Sequence, residues 1–148
     1  MAHTVGLAEE LFRRIGNAED VVRTGEYANG HVERRGKCHE NVAHWLDGHP
    51  HDRPVRGWLA DQSQLQYGFI EFHAHSVVDA AGDGLKDVTL GESDPDYQFL
   101  RDGRPDDDFL MLASAAPTLR HVVDQARYDA FQLAVENSLL YGRFDSQD

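Results

Sequence analysis

Apolar residues recur along the chain with two periods, one typical of helices and the other typical of strands. A helical period runs through residues 5–15, where apolar side chains alternate with two Glu and two Arg. It returns near the C-terminus, where Phe131, Val135 and Leu139 follow one another at intervals of four. These stretches predict an N-terminal helix and a C-terminal packing helix.

A third helical stripe begins at the only cysteine of the chain. Cys38, Val42, Trp45 and Leu46 lie at i, i+4, i+7 and i+8, which predicts a helix over residues 38–47. The thiol would then lie in the first turn, on the inward side. Unpaired backbone N–H groups and the positive end of the helix dipole both favour thiolate over thiol there.

Residues 67–78 change to the period of a strand. Their even positions are mostly apolar, while the odd positions include Glu71, His73 and His75. We expect one face of this strand to be buried and the two histidines to share the other face, toward a cleft or solvent.

A hairpin is predicted to follow this strand. Residues 79–84 are rich in Gly and Asp, as in a tight turn, and residues 85–90 form the returning strand with Asp87 on its polar face. Such a hairpin can bring His75 close to Asp87, although the sequence does not fix the register.

The other stretches carry weaker signals. We expect a short helix near 18–22, a loop at 24–37 whose Asn29 and His31 could line a site, a strand at 55–60, a long loop at 91–108, a short strand at 109–112, and a helical region opening at 117 and 118.

These elements predict a single α+β domain over residues 1–148. In it, the Cys-bearing helix packs on an antiparallel β-sheet of about three to five strands, and a C-terminal helix closes one side. The hydrophobic fraction of 41% is ordinary for a globular protein and supplies enough apolar surface for a core.

Charge and cysteine usage narrow the functional classes. A net charge of -12 repels phosphate backbones and anionic lipid, which disfavours nucleic-acid and membrane-surface roles. One cysteine allows neither an internal disulfide nor a cysteine-rich zinc framework, and it fits a reducing compartment. Charged residues interrupt any signal-like run near the N-terminus, and no stretch approaches the ~20 apolar residues of a membrane span. We therefore expect a soluble cytoplasmic protein.

Cys38, His75 and Asp87 have the residue types of a thiol active site. A cysteine nucleophile needs a lowered pKa, a base within reach, and a group that orients the base. Singly, each residue more often has a structural role, as a small buried hydrophobe, a cross-strand packing residue or a turn carboxylate. Together, on these elements and in this order, they favour catalysis, with Cys38 as nucleophile, His75 as base and Asp87 as orienter.

The same residues resemble the core of the papain-like and transglutaminase-like cysteine enzymes. Small bacterial proteins of that superfamily have a Cys-x-x-Asn-Val helix start, a Gly-Trp strand and a His-to-Asp-x-Thr hairpin. Here those motifs are Cys38, Asn41 and Val42, then Gly57 and Trp58, then His75, Asp87 and Thr89, all within residues 36–90. The resemblance implies an acyl-enzyme mechanism on a peptide, amide or isopeptide bond, without a cofactor. Supporting or substrate-binding roles would fall to His73, Asn41, Trp58 and Glu71.

Two departures from the family pattern leave alternatives open. Transglutaminase-like sites usually have an aromatic residue two places after the catalytic histidine. If the chain is aligned in that way, His73 would be the base and His75 would take the place of the aromatic residue. Papain-like enzymes place a glutamine before the cysteine for the oxyanion, but none precedes Cys38. The oxyanion would then depend on the Cys38 backbone N–H and a side chain that the sequence does not identify.

Two other functions compete with the thiol enzyme. His73 and His75, two residues apart on a strand, could bind zinc with Cys38 or Asp87 as further ligand. The chain could also be a catalytically inactive interaction domain on the same fold. The expected partner of the enzyme is a peptide or amide-containing substrate, and the sequence leaves its identity and the oligomeric state open.

Overall fold

The helices and strands form a mixed α/β architecture of the α+β type. The computed structural model describes residues 2–27, 34 and 36–145, so Asn29 and His31 lie outside the described residues. The helices are α1 (Ala2–Arg13), α2 (Cys38–Gly48), α3 (Asp106–Ala115) and α4 (Gln125–Asp145), and the strands are β1 (Val22–Arg23), β2 (Arg53–Asp61), β3 (Phe69–Ala80), β4 (Gly84–Asp87), β5 (Gln98–Arg101) and β6 (Thr118–Val122).

The long strand β3 lies in the middle of a six-stranded sheet. Five strands follow the order β1-β4-β3-β2-β5, and the sixth, β6, also pairs with β3. One edge of β3 pairs along its length with β2, antiparallel. The other edge is shared, because β6 pairs with residues 69–73 and β4 with residues 78–80. The two partner strands therefore stop on either side of residues 74–77, and His75 lies in the interval between them.

The two faces of the sheet differ in what covers them. Helices α1 and α3 pack on one face, in a core that includes Trp58, Phe72 and Phe109. Helix α2 joins the same face through a smaller cluster of Val42 and Trp45 with Val78 and Val88. The opposite face has a third cluster, formed by Val77, Leu85 and Phe99.

The predicted hairpin and its neighbours are confirmed, and the sheet is larger than expected. The N-terminal helix, the strand at 55–60, the strand with the two histidines and its tight turn all lie where the patterns indicate. The expectation of an antiparallel sheet of three to five strands is wrong, because β1 pairs with β4 in parallel and the sheet has six strands.

Near the C-terminus, a predicted strand is a helix in the structure, and the predicted helical region that follows it begins as a strand. The predicted strand at 109–112 is the helix α3, whose first turn contains three aspartates that favour a helix N-terminus. Its buried residues, Phe109 and Ala113, are spaced by one helical turn. The predicted helical start at 117 and 118 is the strand β6, where Leu119 is buried between exposed neighbours.

Three of the weaker predictions are also wrong in part. The predicted short helix near 18–22 is mainly extended chain that ends in β1, and the expected loop at 91–108 contains β5. Helix α4 exists, and Phe131 packs against Tyr67 and Phe69, but Val135 is 42% and Leu139 66% exposed, so the predicted packing stripe does not continue beyond Phe131. Within the described residues, no helix has the length and apolar content to cross a membrane.

Gly57 is required where β2 passes between β3 and β5, directly opposite His75. A Cβ at this position would lie 2.1 Å from the carbonyl oxygen of Leu100 and 2.7 Å from the Phe99 ring. We expect Gly57→Ala to lower the free energy of unfolding by about 1–3 kcal/mol, as overpacking does. Urea unfolding measures the effect, and Gly103→Ala is the matched control because its Cβ would meet nothing within 4 Å. Equal midpoints for the two variants would contradict this account.

Candidate active site

Cys38 is the first residue of α2 and is buried, with 8% of its surface exposed. The first helical hydrogen bond of this segment runs from the Asn41 N–H to the Lys37 carbonyl. The N–H groups of Cys38, His39 and Glu40 therefore precede the helical ladder, as the first N–H groups of any helix do. A thiol in the first turn of a helix lies close to the positive partial charge of these groups, which favours its anionic form.

His75 and Asp87 form a buried pair beside this helix start. The His75 Nε2 lies 2.7 Å from the Asp87 Oδ2, and both side chains are almost completely removed from solvent. The other carboxylate oxygen of Asp87 accepts hydrogen bonds from the backbone N–H groups of Thr89 and Leu90, each at 2.8 Å. Because Nε2 is used by Asp87, Nδ1 is the ring nitrogen left for the thiol.

Tyr97 is a further member of this group that the sequence pattern does not single out. Its hydroxyl donates to the same Asp87 oxygen that receives His75. Its ring packs edge-on against the His75 imidazole, with centroids 5.6 Å apart. The only signal was an aromatic residue in a loop rich in Asp and Pro, and that signal does not locate a residue in space.

The charges of this group support one another. Burial alone would raise the pKa of Cys38, but hydrogen bonds with His39 and His75, together with the charge of the imidazoles, lower it from 9.0 to about 6. Burial likewise opposes a charged His75, yet its hydrogen bonds and charge interactions with Asp87 and Cys38 raise its pKa. The pKa of Asp87 is lowered, because its hydrogen bonds and the charge of His75 outweigh the desolvation. The favoured state is a thiolate next to an imidazolium.

A second imidazole flanks the thiol from the helix itself. The Nδ1 of His39 lies 3.8 Å from the Cys38 sulfur and also hydrogen-bonds the hydroxyl of Ser76. That hydroxyl accepts a hydrogen bond from Arg56 at 2.8 Å. The Arg56 side chain is only 10% exposed, and its Nε forms an ion pair with the Asp106 carboxylate at 3.7 Å. The position of His39 directly after the cysteine was a signal, but its connection to Ser76 and Arg56 depends on the fold.

Asn41 connects the cysteine helix to the segment that holds Asp87. It is fully buried, and its amide donates to the Thr89 hydroxyl at 3.0 Å and to the Arg34 carbonyl at 2.9 Å. Thr89 in turn donates its backbone N–H to Asp87. One side chain thus fixes the distance between α2 and the end of β4.

The other predicted supporting residues lie elsewhere. Trp58 belongs to the core on the helix-covered face, where its indole N–H donates to Asp102. His73 is 37% exposed and bonds Thr118, and Glu71 pairs with Arg120. The structure therefore brings Cys38, His75 and Asp87 together with Asn41, and it does not bring Trp58, His73 and Glu71 to them.

A cavity of about 810 Å³ lies next to this group. Tyr97 and Leu90 form part of its wall, and both also donate hydrogen bonds to Asp87. Asp61 and Arg23 line other parts of the cavity. A molecule bound there would be one side chain away from the His75–Asp87 pair.

The arrangement has the components of nucleophilic attack by sulfur: an anionic nucleophile, a proton donor and a buried counter-charge. Comparison of the chain with protein-family models, with curated proteins and with solved structures found no match.

The pH dependence of alkylation tests the thiolate. Because only the thiolate reacts, the rate of iodoacetamide alkylation should rise with pH and level off above an inflection near 6. In His75→Ala the cationic partner is lost, so the inflection should move upward toward 9.0. The exposed His51→Ala is the control and should match the wild type. An inflection near 9.0 in all three proteins would contradict the ion pair.

The substitution Asp87→Asn removes the negative charge of the carboxylate and keeps the shape of the side chain. Without the negative charge, His75 holds its proton less tightly, and the thiolate loses part of its cationic neighbour. We therefore expect the alkylation inflection of this variant to lie above that of the wild type and below that of His75→Ala. An unchanged inflection would show that Asp87 does not act through its charge.

Proposed function

We propose that the protein is a cysteine-dependent hydrolase or acyltransferase that cleaves a peptide, amide or isopeptide bond through an acyl-enzyme. The observation that carries this proposal is the buried His75–Asp87 contact of 2.7 Å next to a thiol at a helix start. A structural cysteine needs neither an imidazolium nor an orienting carboxylate beside it, and strongly perturbed titratable groups cluster at functional sites.

Acylation begins when the Cys38 thiolate attacks the carbonyl carbon of the substrate and forms a C–S bond. The carbonyl electrons move to oxygen, which gives a tetrahedral oxyanion. His75 then gives its proton to the leaving nitrogen as the C–N bond breaks. The products of this half-reaction are a free amine and a thioester on Cys38.

Deacylation reverses the proton transfer. Water or a second amine approaches the thioester, and the now neutral His75 accepts its proton as the new bond forms. The C–S bond breaks, and its electrons return to sulfur. Asp87 stays ionised throughout and stabilises the imidazolium whenever it forms. Nδ1 is the nitrogen that moves the proton, because Asp87 bonds Nε2.

The oxyanion has donors on the helix side of the thiol. The N–H groups of Cys38, His39 and Glu40 precede the first helical hydrogen bond of α2, and the His39 Nδ1 lies 3.8 Å from the Cys38 sulfur. An oxyanion is two bonds from the sulfur, which puts it within reach of the His39 ring. Because Nδ1 carries a single proton and already shares a hydrogen bond with Ser76, His39 would exchange that bond for one to the oxyanion as the tetrahedral intermediate forms. Arg56 and Ser76 hold the His39 ring in place, which supplies the side chain that a glutamine supplies in papain-like enzymes.

The order of the elements supports a papain-like or transglutaminase-like core within the α+β architecture. The cysteine begins a helix that packs on the sheet, the histidine lies on the longest strand, and the acid ends the next strand. A single unpaired cysteine fits a reducing compartment, which supports a cytoplasmic location as part of the proposal. The alternative, an inactive interaction domain on this fold, predicts a Cys38 thiol with an ordinary pKa.

Trapping of the acyl-enzyme tests the reaction class. With a p-nitrophenyl ester we expect rapid release of nitrophenol, an acyl adduct on Cys38 by intact-mass spectrometry, and faster turnover when an amine is added. Cys38→Ala should remove both adduct and turnover, and His75→Ala should slow acylation by about 10²–10⁴-fold. Full turnover in Cys38→Ala would show that the mechanism is wrong.

Replacement of His39 separates oxyanion stabilisation from thiol activation. Alkylation by iodoacetamide passes through no oxyanion, whereas acylation by the ester does. At a pH on the alkylation plateau, His39→Ala should slow acylation by about 10²-fold and leave the alkylation rate nearly unchanged. Equal losses in both reactions would instead show that His39 acts only on the thiol.

A further inference from the structure

Asp61, Glu71 and His73 form a second polar group, separate from the thiol site. One ligand atom from each residue lies within 4.8 Å of the others, and all three side chains are half-buried. The register of β2 and β3 creates the group, because Asp61 is directly opposite Glu71 and His73 follows on the same face. Like charges directly opposed across two strands destabilise a sheet unless something compensates them.

The histidine of this group is oriented for metal binding. Its Nδ1 is 3.1 Å from the Thr118 hydroxyl, while Nε2 faces the Asp61 Oδ2 at 3.5 Å. That separation is longer than a well-formed hydrogen bond. The same separation is expected between two ligand atoms that each lie about 2.1 Å from one tetrahedral metal ion. A partner on the second ring nitrogen is the usual way in which proteins orient a histidine ligand.

Hydrogen bonds from neighbouring residues also orient the two carboxylates. The Oδ1 of Asp61 accepts hydrogen bonds from the backbone N–H of Ser63 at 3.0 Å and from its hydroxyl at 2.6 Å. This leaves Oδ2 directed at His73. Glu71 contacts Arg120 through Oε2 at 3.2 Å. The Asp61 carboxylate is therefore fixed by its own turn before any ion binds.

Arg120 compensates the charge of this group only in part. Its guanidinium donates to Glu71 through Nη2 and to the Tyr128 hydroxyl through Nη1, and it lies 4.3 Å over the Phe69 ring. The ion pair of Arg120 in this group is with Glu71, whereas Asp61 contacts Ser63 and His73. A divalent cation between the opposed carboxylates would remove the remaining repulsion.

We propose that Asp61, Glu71 and His73 bind one divalent transition-metal ion, for which Zn²⁺ is the best match. One imidazole nitrogen and two carboxylate oxygens suit zinc, and three protein ligands leave a position for water or another ligand. Asp61 also lines the large cavity, so the ion lies at its edge. The site differs from the zinc set considered from the sequence, because His75, Cys38 and Asp87 are engaged with one another.

Zinc titration of the full chain tests this site. Isothermal titration calorimetry with ZnCl₂ should show one ion per chain in the wild type. His73→Ala and Asp61→Asn should each weaken binding at least about tenfold, because loss of a residue that merely orients a ligand already costs about 10–100-fold in metal affinity. Cys38→Ala and His51→Ala are the controls and should bind as the wild type does. If His73→Ala does not fold, Glu71→Gln keeps the side-chain shape and supplies the same comparison with Asp61→Asn.

Three results would overturn the proposal. They are no saturable binding at micromolar zinc, wild-type binding in both Asp61→Asn and His73→Ala, or loss of binding in Cys38→Ala, which would assign the metal to the thiol group. None of these measurements depends on an acyl substrate. The thiol mechanism is tested by alkylation and the zinc site by titration, so either can fail alone.

Discussion

The contact between His75 and Asp87 is the interaction on which the rest of the site depends. An isolated carboxylate at zero exposure would be strongly disfavoured, so its environment must supply compensating charge and hydrogen bonds. Asp87 receives them from His75, from Tyr97 and from two backbone N–H groups of the turn that follows it. The imidazolium held in this way lowers the pKa of Cys38, so the charge of one buried acid also favours the thiolate, which is the nucleophile of the proposed mechanism.

The interruption along one edge of β3 gives the thiol access to both imidazoles. Adjacent strand residues point to opposite faces, so His75 and Ser76 face opposite ways. Helix α2 packs on the Ser76 side, and its first residue lies where β4 and β6 leave the edge unshared. Cys38 can thus contact His75 and also His39, which Ser76 holds on the helix-covered face. A continuous strand along this edge would separate the two.

The chain shows which parts of a site a sequence can predict. The hairpin that joins His75 to Asp87 and the helix start at Cys38 follow from local periodicity, turn residues and short chain separation. Tyr97 could not be found in this way, because its contact depends on where a long loop crosses the sheet. Arg56 was equally hidden, since the register that aligns it with Ser76 is set by the whole β2–β3 pairing. The exchange of α3 and β6 has the same origin, because a four-residue apolar run fits either period.

The alternating pattern of β3 also limits what each histidine can do. Both point to the same face, but they lie at different places along the strand edge. His75 lies in the interval between β4 and β6 and meets the acid and the thiol. His73 lies where β6 still pairs and meets Thr118 instead. In the proposed mechanism the same side chain serves acid–base chemistry in one place, and in the proposed zinc site it is a ligand in the other. The difference comes from strand pairing rather than from residue type, so the contacts of each histidine follow from the fold and not from the histidine spacing alone.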